Sequence, residues 1–143
     1  MTMDPLPKRL STSRPASGAK RLIGFEVDNS RADGCSIVTL DVGPQHMNLY
    51  GIAHGGIVAV LLDTACGQTA STYFDPVELP AIVTVSLTVS FLSPCLPKRV
   101  TCLGRPIGGG RKTVTCEAEL HDETGTLLAK ATGVFRNVGG PGK

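Results

Sequence analysis

At 143 residues the chain is long enough for one domain, which would bury roughly two-thirds of its unfolded surface. Its composition is globular (41% apolar, 18% charged), and a net charge of +2 is too small to argue for nucleic acid or an anionic membrane surface as partner. With no Trp, two Tyr and four Phe, it has no aromatic platform on which bases would stack.

Residues 1–20 hold Pro5, Pro7 and Pro15 among Ser, Thr and basic side chains, and read as a flexible tail. Residues 22–27 read as a first strand and 35–42 as a second, the latter closed by Gly43-Pro44. A long helix is expected from near Gly56 to 71–74, before Asp75-Pro76, because a residue preceding proline resists helix. Residues 82–91 alternate strictly: Val83, Val85, Leu87, Val89 and Phe91 are apolar, while Thr84, Ser86, Thr88 and Ser90 carry hydroxyls. That period of two is a strand. Further strands follow at 99–107, 112–120 and 126–138, with a frayed end over 139–143. The domain is expected to occupy 21–138.

The five cysteines (35, 66, 95, 102 and 116) form no Cys-x-x-Cys pair and no zinc-ligand spacing. They read as reduced thiols packed as small apolar groups, in keeping with a cytoplasmic protein. No run approaches the eighteen or so apolar residues that cross a bilayer.

The most informative stretch is 48–67. It passes through His54-Gly55-Gly56 into Ile57-Val58-Ala59-Val60-Leu61-Leu62, which is apolar on every side of a helical period. A single carboxylate, Asp63, interrupts it. Burying a carboxylate is costly unless it is paired, solvated or functional, so Asp63 is either in an ion pair or a reactive group. A helix greasy all round and a sheet with a face to bury satisfy each other if the sheet curls around the helix, which gives an α+β architecture.

The pattern Asn48, Gly51, His54-Gly55-Gly56, Leu61, Asp63, Ala65, Gly67 resembles the signature of hotdog-fold thioesterases of the phenylacetate-degradation (PaaI-type) branch. The resemblance continues through Thr84-Val85-Ser86-Leu87, Phe91-Leu92-Ser93-Pro94, Gly110-Arg111-Lys112-Thr113, the 122–125 turn and Gly133-Val134-Phe135, over about residues 22–137. It implies a curved antiparallel sheet of five to six strands around one central helix. It also implies an acyl-coenzyme A thioesterase without metal or other cofactor, and a homodimer, often paired into a homotetramer, with sites between subunits. Leu49 stands where many relatives carry Pro, and Thr84 where some carry Ser.

Backbone N–H groups at a helix start, reinforced by its dipole, are ready donors for the oxyanion that grows when a thioester is attacked. Gly55-Gly56 alone reads as a tight turn. The resemblance assigns Gly55 N–H to the carbonyl oxygen and Gly56 to substrate contact, with Asp63 as general base or nucleophile. Asn48 is either a turn residue or holds water or the thioester oxygen. His54 can position the loop or help polarise the carbonyl, and only the family motif singles out Thr84. Arg111 and Lys112 follow a glycine turn and are either a solvated tip or a seat for coenzyme A phosphates; Arg105 and Arg136 are weaker candidates. Gly55 and Asp63 lie about 12 Å apart along one helix, too far to serve one carbon, so a site composed by two chains is expected. The alternatives are a non-catalytic acyl-coenzyme A sensor or a hotdog hydratase/dehydratase.

Overall fold

A computed structural model describes residues 16–139. Most of the tail expected over 1–20, and nearly all of the frayed end expected over 139–143, lies outside these residues. The described chain forms a short helix α1 (Gly18–Ile23), strands β1 (Glu26–Asp28) and β2 (Ser36–Asp41), and a single helical turn (Pro44–His46). The long helix α2 (Gly55–Phe74) follows, then strands β3 (Ala81–Phe91), β4 (Arg99–Gly109), β5 (Thr113–Asp122) and β6 (Leu127–Gly139). All six strands join one antiparallel sheet in the order β1-β2-β4-β5-β6-β3. Its concave face wraps α2, the hotdog arrangement.

One element departs from expectation. Residues 18–23 are helical, and the first strand shrinks to three residues. The cause is local: the Ser17 hydroxyl accepts from the Lys20 N–H, and Gly24, at φ 90°, closes the helix with its N–H on the Lys20 carbonyl.

Inward side chains of β2, β4, β5 and β6, among them Val38, Val100, Leu120 and Phe135, meet Val58, Leu61, Leu62, Ala65 and Cys66 of α2. The helix is nevertheless not enclosed. Ile57, Ala59, Val60, Asp63 and Thr64 stay half-buried, so one chain's sheet covers only one side of a helix that is apolar on all sides.

The alternation of β3 hides a bulge. Thr84 faces Phe135 and Ser86 faces the next residue, Val134, so Val85 is an extra residue on its side of the ladder. The bulge inverts the parity of the strand. Thr84 points toward the helix before it, whereas Leu87, Val89 and Phe91, opposite Gly133, Ala131 and Ala129, point inward after it.

The helix seats on β4 at Gly104. A Cβ there would stand 2.4 Å from the Ala65 carbonyl oxygen and 2.7 Å from Thr69 Oγ1, well inside any real contact. Gly104→Ala is therefore expected to lower stability by about 3 kcal/mol, as overpacking does, read as a drop in urea midpoint. Gly108→Ala, where a Cβ meets nothing within 4 Å, should change it by less than about 0.5 kcal/mol.

Candidate functional site

The loop before α2 folds on itself. Met47 and Ala53 form a bridge, the Asn48 N–H bonds the Ile52 carbonyl at 2.8 Å, and Gly51, at φ 75°, turns the tip. Asn48 Oδ1 accepts from the Tyr50 N–H at 2.9 Å and the Ile52 N–H at 3.4 Å. Asn48 is therefore a turn residue through its oxygen, while its amide nitrogen keeps its hydrogens open.

His54 is the N-cap of α2: its Nδ1 accepts from the Gly56 N–H at 2.8 Å. A neutral ring that accepts at Nδ1 carries its proton on Nε2. His54 O accepts from Ile57 and Val58, so the first turn is largely satisfied. The Gly55 N–H has no bond among the described residues. Of the two glycines, only Gly55 offers a free donor; Gly56, expected to contact substrate, has its N–H occupied by its own neighbour. A Cβ on Gly56 would lie 3.1 Å from His54 Nδ1, so its missing side chain is what lets the cap close.

Beside Gly55 opens a cleft of about 370 Å³. Ile52, Val58, Phe91, Leu92 and Leu128 make it apolar, and Asn48, Ser93 and the Gly55 backbone are its polar members. Asp63 and Thr84 do not line it.

Those two meet further along the helix. Thr84 Oγ1 donates to Asp63 Oδ1 at 2.7 Å, leaving Oδ2 without a partner. No cation pairs with Asp63 among the described residues. The contrast with the outer sheet face is clear: there Arg105 binds Glu117 at 2.7 Å and Glu119 at 3.5 Å, and Lys130 lies near both. Arg105 is thus unavailable as an anion seat.

Arg111 and Lys112 sit exposed in the β4–β5 turn without acidic partners among the described residues. The register Val114↔Phe135↔Thr84 puts that turn at the Thr84 end of the sheet, two strand spacings or about 10 Å away. Arg136, pairing with both Thr113 and Val83, lies in the same region. A single chain therefore holds two half-sites: Asn48 and Gly55 with an apolar cleft, and Asp63 with Thr84 at the end of the sheet where the Arg111–Lys112 turn lies. Sequence reasoning gave Phe91 no role at the site, although it closes a strand before Ser93-Pro94 and stands in the Phe91-Leu92-Ser93-Pro94 stretch of the resemblance.

The cysteines do not suit nucleophilic work. All five are free. Burial pushes the Cys66 and Cys102 thiols far up and that of Cys116 up to about 12, so their thiolates are scarce at neutral pH. Among the described residues no cluster of His, Cys, Asp or Glu is placed to hold a metal ion, and no helix is long and apolar enough to cross a membrane.

The family model of the thioesterase superfamily matches residues 50–129, a stretch holding Gly55, Asp63, Thr84 and the free cations of the β4–β5 turn. The chain belongs to that superfamily. The medium/long-chain acyl-CoA thioesterase YigI of Escherichia coli K12 is 30% identical over 95 residues, or 59% of this chain. The aligned stretch spans 61% of the length of YigI. The 1,4-dihydroxy-2-naphthoyl-CoA hydrolase of Listeria monocytogenes is 28% identical over 111 residues, 78% of this chain and 88% of that one. Among solved structures, the E. coli PaaI protein from the phenylacetic acid degradation operon superposes with a TM-score of 0.73 at 23% identity, over 87% of this chain and 86% of that chain, a likeness of fold.

Replacing the capping imidazole removes a bond to an otherwise orphaned N–H. His54→Ala should lower stability by about 1 kcal/mol, and His54→Asn should restore most of the loss, as read by urea unfolding.

Proposed function

We propose that this protein is an acyl-coenzyme A thioesterase, hydrolysing the thioester of a small aromatic or medium-chain acyl group to the free acid and coenzyme A. The observation that carries this reading is the pairing of an unbonded helix-start amide at Gly55 with an unpaired, hydroxyl-oriented carboxylate at Asp63 in one thioesterase-superfamily chain. Relatives named for acyl-CoA substrates support the choice of thioester, and the apolar cleft supports an uncharged acyl group.

The chemistry needs both half-sites at one carbon. The carbonyl oxygen would accept from the Gly55 N–H, where the positive end of the helix dipole stabilises the growing negative charge. Thr84 holds Asp63 Oδ1, so Oδ2 faces the reaction. Acting as base, Oδ2 takes a proton from water as the oxygen attacks; the C–S bond then breaks, and the proton passes to the departing thiolate. Acting as nucleophile, it attacks the carbonyl carbon and expels the coenzyme A thiolate to give a mixed anhydride; water then cleaves the anhydride to the acid and free Asp63, and the proton released passes to the thiolate. The Asn48 amide would orient water or the thioester, and Arg111 and Lys112 would meet phosphates of coenzyme A. No metal or other cofactor has a step in this scheme.

Eight residues of helix separate Gly55 from Asp63, about 12 Å, so we assign the site to two chains. Of the two edges of the sheet among the described residues, β1 is three residues long and β3 is eleven, without a charge or a proline. Such an edge is a template for pairing. Joined antiparallel about a twofold axis near its middle, it brings the Phe91 end of one chain against the Thr84 end of the other. The Gly55 cleft then faces Asp63 of the partner subunit, and the half-exposed side of α2 is covered. A homodimer, doubled into a homotetramer in the manner of its family, in the reducing cytoplasm completes the reading, with residues 21–138 as the single domain.

Asp63→Asn should reduce turnover about 10²–10⁴-fold on a panel of acyl-coenzyme A esters, with released thiol as readout. Gly55→Pro removes one N–H at a helix position that tolerates proline and should cost about 10²–10³-fold. Co-expressed, the two inactive chains should regain about one quarter of wild-type activity, because half the dimers are mixed and each mixed dimer holds one intact site. No recovery would refute the shared site. No turnover of any ester by the wild type would refute the enzyme and leave an acyl-coenzyme A binder.

A further inference from the structure

The cleft beside Gly55 has a fixed floor and a movable rim. Ala53, Val58, Cys95 and Leu128 are each at most 5% exposed and packed into the core. Phe91 is different: it is 58% exposed, yet two of its ring carbons lie 3.4 Å from where a Cβ on Gly55 would stand. Its backbone is held opposite Ala129 in the ladder, so the ring can move only by rotation about its side-chain torsions. One face of the ring rests on the glycine that carries the open amide, and much of the rest has no protein against it.

We infer that Phe91 is the specificity-determining wall of this cleft, a swinging aromatic rim that sets how long an uncharged acyl group can be while its carbonyl still reaches the Gly55 N–H. The inference rests on the thioesterase reading above and adds a residue that the reading does not use. An acyl group whose carbonyl approaches Gly55 arrives beside this ring. A short or flat group packs against the ring where it stands, whereas a longer chain must turn it aside about its side-chain torsions. No charged side chain lines the cleft, so a charged acyl tail would be desolvated without a partner and rejected. The glycine is part of the device. A Cβ at 55 would stand in ordinary contact with the ring, so only a side chain extending beyond it would crowd Phe91.

The experiment compares kcat/KM for butanoyl-, octanoyl-, dodecanoyl-, benzoyl- and succinyl-coenzyme A across wild type, Phe91→Ala, Phe91→Leu and Phe91→Trp, with thermal melting of each. Phe91→Ala should raise the dodecanoyl-to-butanoyl ratio about tenfold or more, and Phe91→Trp should lower it by a similar factor, the scale on which apolar pockets discriminate chain length. Phe91→Leu should fall between wild type and Phe91→Ala; being the milder change, it keeps the test open if the alanine variant does not fold. Succinyl-coenzyme A should stay a poor substrate throughout. If the wild type is active and all variants lose rate equally on every ester, Phe91 only supports the fold; the inference fails and the thioesterase reading stands. If the wild type cleaves none of these esters, both fail together.

Discussion

The close approach of α2 to β4 is the constraint on which the remaining geometry depends. Where the helix crosses Gly104, the Ala65 carbonyl occupies space that any side chain would claim. Seating the helix this deeply lets Val58, Leu61, Leu62 and Cys66 reach the sheet's concave face together. The same depth brings the helix start under the end of β3, where Phe91 rests on Gly55, and brings Asp63 within hydrogen-bond reach of Thr84. A helix held one methyl group higher would lengthen both contacts at once. The two half-sites are thus set by one packing decision in the core, made by a residue that touches neither.

Charge is partitioned with similar consistency. On the outer face the ions neutralise one another: Arg105 and Lys130 lie between Glu117 and Glu119. Near the helix, Asp63 is held by a neutral hydroxyl, and at the β4–β5 turn Arg111 and Lys112 are left without acids among the described residues. A carboxylate kept from any cation is not already committed to an ion pair, and cations kept from carboxylates stay open to an outside anion.

Much of this was legible in the sequence. Asp63 stood out because an apolar helix tolerates a carboxylate only for a reason, and the five strands after the first followed from apolar patterning and turn residues. What escaped did so for identifiable causes. The α1 helix was hidden by a composition typical of tails, although Ser17 and Gly24 are ordinary helix punctuation. Which of two adjacent glycines keeps a free amide depended on the rotamer of His54, and only the family resemblance, not periodicity, pointed to Gly55. Of four similar hydroxyls the resemblance alone singled out Thr84; the bulge that sets the two halves of β3 on different phases leaves the alternation of side-chain types untouched. The openness of one side of α2 was invisible because an apolar helix reads the same whether its own sheet or a second copy covers it.

That bulge also governs how β3 tolerates change. Were Val85 paired in the ladder instead of bulged out, a strand whose latter half still packed Leu87 and Val89 inward would turn Thr84 outward. The added residue works as a phase shifter, letting one strand present chemistry at one end and grease at the other. Loss of that single codon would close the bulge with Thr84 still opposite Phe135 and Ser86 still opposite Val134, so the acid would keep its hydroxyl and the strand would lose only its spare residue.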